Sequence, residues 1–150
     1  MDWSHDRSLK IAKMAVLLFT LIMIAVMLTA PKIFGALIER RINYLYGKLP
    51  LFLASTYTAC VPASVALLAM YRLLTNIEKG QVFITENVTY IDRIAIACFV
   101  TSIICLASSF YYLPFLMLFI ARGFVGLVLK VVKNVFRQAV LLQEDSDYTI

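Results

Sequence analysis

Charge is scarce in this chain of 150 residues: only 15% are Asp, Glu, Lys or Arg, where a soluble domain typically carries about 25%. There is one histidine, His5, and it stands in a short polar lead without metal-ligand neighbours. The 3 cysteines, Cys60, Cys98 and Cys105, form no CxxC pair, so neither a zinc site nor a disulfide framework is expected. All three fall in apolar runs and read as small packing residues. No HExxH motif, glycine-rich phosphate loop, Ser/His or Cys/His set or paired intramembrane carboxylates occur. The expectation is therefore no catalytic residue, no metal, no cofactor and no enzyme. Transporter-type internal repeats are not apparent either.

What the chain has instead is hydrophobicity: 62% of its residues are apolar. Residues 15–30, 49–71 and 94–121 carry no charge at all. About 20 such residues at 1.5 Å rise cross a hydrocarbon core of about 30 Å, so the chain reads as an integral membrane protein. The first run is too long for a signal peptide and lacks a small-x-small cleavage site, so it reads as a retained helix. The expected fold is all-α, a single four-helix transmembrane domain over 1–150. Its helices lie at about 9–30, 49–74, 92–112 and 115–142. Pro31 ends the first, and Pro62 kinks the second. Ser55, Thr56, Thr58 and Ser64 are at hand to satisfy the carbonyl that Pro62 frees.

The boundary between the third and fourth helices lies at Pro114 or Gly123. A turn at Pro114 puts Arg122 about 12 Å inside the membrane, with Lys130, Lys133 and Arg137 near the opposite interface. A turn at Gly123 drives Lys133 to the bilayer centre, where a cation costs at least about 2.5–3.5 kcal/mol. Pro114 is preferred. Basic residues then gather on one side: Arg7, Lys10, Lys13, Arg72, Lys79, Arg93, Lys130, Lys133 and Arg137. Lys32, Arg40, Arg41 and Lys48 lie on the other. The positive-inside rule makes both termini and the polar insert 76–93 cytoplasmic, in a multi-pass cell-membrane protein. On the outer side, Phe34, Leu37, Ile38, Ile42 and Leu45 recur at helical spacing, with Glu39 and Asn43 between them. Residues 32–48 thus read as a short amphipathic helix against lipid headgroups or protein. Tyr44, Tyr46, Tyr57, Tyr71, Tyr90, Tyr111 and Tyr112 read as interfacial anchors.

The insert "NIEKGQVFITENVTYIDR" holds the densest polar chemistry. Gly80 suits a helix C′ position, and Thr85 suits an N-cap with Glu86 in the first turn. Asn87-Val88-Thr89 is a glycosylation sequon, but the expected cytoplasmic side argues against its use. Beyond Leu142 the chain turns acidic at Glu144, Asp145 and Asp147. These either pair with Arg72, Lys79 or Arg93 of the insert, or form a solvated end; an exposed pair contributes at most about 1 kcal/mol.

Two segments carry a family resemblance. Asn76, Ile77, Gly80, Phe83 and Asn87 match the pattern N-I-x-x-G-x-x-F-T-x-x-N, with the threonine displaced by one to Thr85. The end of the chain matches V-F-R-x-[AG]-x-x-L-x-E-[DE]-x-[DE]-x-T-I at Val135, Phe136, Arg137, Ala139, Leu142, Glu144, Asp145, Asp147, Thr149 and Ile150. In both, the chain resembles a family of small four-helix bacterial membrane proteins catalogued as domain of unknown function 2975. The resemblance implies a bacterial cell membrane and suggests a helix-turn-helix transcription regulator as partner, without direct nucleic-acid binding by this chain.

Three functions follow as expectations. In the first, Asn76, Glu78, Lys79, Gly80, Phe83, Asn87, Arg137, Glu144, Asp145 and Asp147 form a cytoplasmic docking face for a partner. In the second, an immunity or membrane-stress protein binds a peptide or lipid through Arg122 and the 32–48 helix. In the third, the chain is a transporter or channel subunit that needs a homo-oligomer to build a path. Arg122 is the intramembrane cation of note. Its partner is an outer lipid phosphate, Glu39, or a group on another molecule. Lys130 and Lys133 are expected to anchor to inner-leaflet phosphates.

Overall fold

The computed structural model describes residues 3–40, 45 and 47–149. These form four α-helices: α1 (Trp3–Arg40), α2 (Leu49–Glu78), α3 (Thr85–Ser109) and α4 (Phe115–Tyr148). All 4 are long and apolar enough to cross a membrane. The chain turns between α3 and α4 at residues 110–114, and Gly123 lies well inside α4. Successive helices run antiparallel. One end of the layer holds the α2–α3 turn after Asn76, and the other holds the α3–α4 turn at Pro114. Arg41, Ile42, Asn43, Tyr44, Tyr46 and Ile150, named above, lie outside the described residues.

The helices are longer than hydropathy suggested. Pro31 does not end α1, which continues to Arg40. Residues 32–40 therefore extend α1, where a separate surface helix was expected. The reason is a donor from elsewhere. Pro31 has no N–H, so the Met27 carbonyl one turn back loses its partner. The Tyr57 hydroxyl of α2 donates to that carbonyl at 3.1 Å. Tyr57 is thus a helix-pairing residue as well as an aromatic. Pro62 likewise lies inside α2 without ending it. Ser64 donates to the Cys60 carbonyl at 2.7 Å and Ser55 to that of Phe52 at 3.1 Å, so neither serves the Thr58 carbonyl that Pro62 frees.

Packing follows chain order. α1 lies on α2, α2 on α3 and α3 on α4, while among the described residues no Cα of α1 comes within 8 Å of α3 or α4. α3 is the most buried helix. Its inward residues are small, with Ala95, Ala97, Thr101, Ser102, Cys105 and Ser108 all buried. Such side chains let backbones approach closely, which is how helices gain contact in lipid. α4 answers with Gly123 and Gly126. A Cβ on Gly126 would stand 3.1 Å from the Phe99 ring, and one on Gly123 3.3 Å from the Ser102 hydroxyl. Ser102 fastens the contact by donating to the Phe119 carbonyl at 2.8 Å.

At the Pro114 end, Phe52 is almost fully buried among rings. Its centroid lies 5.0 Å from that of Tyr111, 5.4 Å from those of Phe34 and Tyr112, and 6.0 Å from that of Phe115. The Tyr111 hydroxyl meets that of Ser55 at 2.6 Å and donates to the Leu51 carbonyl at 3.2 Å. Tyr111 and Tyr112 are therefore internal contacts of the fold as well as interface-level aromatics.

The Tyr57–Met27 bond gives a test. Tyr57→Phe strands a carbonyl in apolar surroundings and is expected to destabilise the protein in detergent by about 1–3 kcal/mol. Pro31→Ala restores the N–H, so in a double-mutant cycle Tyr57→Phe should then cost little. Equal costs in both backgrounds would contradict this account.

Candidate functional site

Most of the candidate residues gather at the Asn76 end. α2 closes there by a Schellman arrangement: Gly80 N–H donates to the Ile77 carbonyl and Gln81 N–H to that of Asn76, both at 3.0 Å. This closure needs a left-handed residue, and Gly80 has φ +77°. The N-cap of α3 is Ile84 in extended conformation, with no side-chain cap, so Thr85 is the first helical residue and not the cap. The turn is held from within by Asn87, which is 0% exposed. Its amide donates to the Gln81 carbonyl at 2.7 Å and the Val82 carbonyl at 2.8 Å, while its oxygen accepts from the Asn76 amide at 2.9 Å. Asn76, Gly80 and Asn87 are thus the frame of the turn, and Asn87 is closed to any partner.

The other insert residues point outward or to neighbouring helices. Glu78 forms an ion pair with Lys13 of α1, whose ammonium also lies 5.6 Å from the centre of the Tyr71 ring. Lys79 is the C-cap of α2. Half-exposed Phe83 reaches α4, its ring 5.7 Å from that of Phe136. This contact ties together the two segments that carried the family resemblance.

Asp92 is the residue that the sequence reading missed. It lies two turns inside α3, and its carboxylate accepts from Lys130 at 2.6 Å and Lys133 at 3.1 Å. Both lysines, expected on lipid phosphates, thus have a partner within the protein. The signal was available: a lone acid near the start of a membrane helix demands a cation, and Lys130 and Lys133 lie at the matching depth of the next one.

Beside the triad, a groove of about 370 Å³ runs between α3 and α4, lined by Thr85, Thr89, Asp92, Lys133, Arg137 and Glu144 among others. α4 continues past it to Tyr148. Glu144, Asp145 and Asp147 are exposed on its last turns. None makes an ion pair with Arg72, Lys79 or Arg93 in the structure, although Glu144 shares the groove with Arg137.

Arg122 stands apart from this end. It lines two cavities, of about 250 and 390 Å³, that touch residues of all four helices. Among the described residues no side chain, Glu39 included, gives it a hydrogen bond or ion pair.

The family model described as "Protein of unknown function (DUF2975)" matches residues 4–150. The chain belongs to that family. No curated protein and no solved structure matches it.

Two substitutions separate the frame from the surface. Asn87→Asp turns two donors into acceptors facing carbonyls. It should cost more than Asn87→Ala, itself expected at about 2–4 kcal/mol for the groups left unpaired. Hydrogen exchange over 80–88 should rise in both. Asp92→Asn should lower stability by about 1–3 kcal/mol, read by unfolding in detergent, with exchange over 80–88 unchanged.

Proposed function

We propose that this DUF2975 member is a non-enzymatic membrane docking module whose Asn76 end faces the cytoplasm and holds a soluble partner. The reading is carried by one observation. α4 has 34 residues, about 51 Å at 1.5 Å each, and so outruns a hydrocarbon core of about 30 Å. Its final turns combine the acids Glu144, Asp145 and Asp147 with apolar side chains left open: Leu142 is 70% and Tyr148 90% exposed. A projecting helix with apolar anchors and unpaired charge suits insertion into a partner's groove. Its acidity favours a basic partner. A helix-turn-helix transcription regulator, the kind of partner that the resemblance suggests, has such a surface. Phe83 on Phe136 and the Asn76–Asn87 frame would fix the base from which α4 projects. Lys13, Arg72, Lys79, Arg93 and Arg137 at the same end support the cytoplasmic orientation.

The test is photo-cross-linking in cells from Tyr148, against Phe110 at the opposite end. Tyr148 is expected to capture a basic cytosolic protein with a helix-turn-helix sequence. Glu144→Gln, Asp145→Asn and Asp147→Asn together should weaken that complex about tenfold, or about 1.4 kcal/mol, and reduce its salt sensitivity. Arg122→Leu should leave it unchanged. Capture only from Phe110 would move the functional face to the other side and end this reading.

A further inference from the structure

We propose that the cleft around Arg122 binds an anionic phospholipid, its phosphate on the guanidinium and one acyl chain along Phe19, Ile22, Ala66 and Leu67. Arg122 lies seven residues after Phe115, about 10 Å into the membrane from the Pro114 end. A cation at depth costs at least about 2.5–3.5 kcal/mol unless a counter-charge or water reaches it. Among the described residues none is supplied: Arg122 is the only charged one lining either cavity. Thr56, on the wall of the smaller cavity, also makes no hydrogen bond among the described residues. By contrast, Thr20, Ser64, Thr75, Thr101 and Ser108 each donate to their own helix one turn back. Arg122 and Thr56 thus offer to one space a cation and a hydroxyl without a partner among the described residues.

Geometry points to a lipid as the occupant. Side chains on a helix lean toward its N-terminus, so Arg122 leans toward the Pro114 end and the headgroups there. The cleft opens to the hydrocarbon because α1 stays away from α3 and α4, and its walls beyond Arg122 are largely apolar. Among its described residues a second copy of the chain has no carboxylate to offer at this depth. The described acids of the four helices lie at the Asn76 end or at Glu39. A phosphate carried on an acyl chain meets both the charge and the apolar wall.

The experiment is native mass spectrometry on the full chain, stripped in neutral detergent and titrated with phosphatidylglycerol or phosphatidylcholine of identical acyl chains. Wild type is expected to retain phosphatidylglycerol about tenfold better, the order of a single charge-assisted contact. Arg122→Gln should abolish that preference with circular dichroism unchanged. Arg122→Lys, which keeps the charge and tests the idea even where the glutamine variant misfolds, should retain most of it. Thr56→Val should weaken it, and Arg72→Gln at the opposite end should not. An equal preference in wild type and Arg122→Gln would overturn the proposal. So would loss of binding in Arg72→Gln, displacement by glycerol phosphate alone, or a dimer in place of bound lipid.

Discussion

A carbonyl inside hydrocarbon has no water to turn to when its amide partner is missing. That constraint shapes this fold at several points. Where Pro31 withdraws a donor, Tyr57 reaches across from α2 to supply one. Where α3 and α4 approach, Ser102 adds a donor to the Phe119 carbonyl inside α4. Most hydroxyls within the helices turn back on their own backbone. At the Asn76 end the same demand is met by a buried amide: Asn87 serves two carbonyls and receives one N–H. Most of the described hydroxyls, and the Asn87 amide, thus act as donors to backbone carbonyls.

Charge follows a similar logic with a different range. Asp92 lets α3 and α4 share two lysines without leaving a bare ammonium near the hydrocarbon. Lys13 and Glu78 do the same for α1 and α2 at the same end. The α1–α2 and α3–α4 pairs are thus each pinned near one mouth by ion pairing, while α2 and α3 are joined there by the Asn76–Asn87 hydrogen bond. Along the rest of their length, α3 and α4 interlock through small residues, with Gly126 against Phe99. Arg122, the one deep cation among the described residues, is outside this scheme.

Four spans and the Pro114 turn were legible in the sequence because burying charge in lipid is so costly that long uncharged runs allow few alternatives. Gly80 was legible too, since helix closure there asks for a residue that tolerates positive φ. Pro31 was misread because its local rule counts the missing donor but cannot see Tyr57, far along the chain. Lys130 and Lys133 were assigned to lipid because hydropathy gives depth but not the rotation that turns them toward Asp92. Thr85 suits a cap on residue preference alone, whereas α3 has extended Ile84 as its N-cap. The motif asparagines looked like surface because polar residues in a membrane protein usually are; here they close the turn from inside.

Among the described residues helix backbones approach only those of their chain neighbours, and this has a consequence for how the protein is made. A hairpin of α1 and α2 has all its own cross-contacts available once Glu78 has reached Lys13. α3 then adds to α2, and α4 to α3, without displacing anything already in place. No helix has to wait in the bilayer for a distant partner still on the ribosome. Assembly can proceed in the order of synthesis, each new span docking on the one released before it.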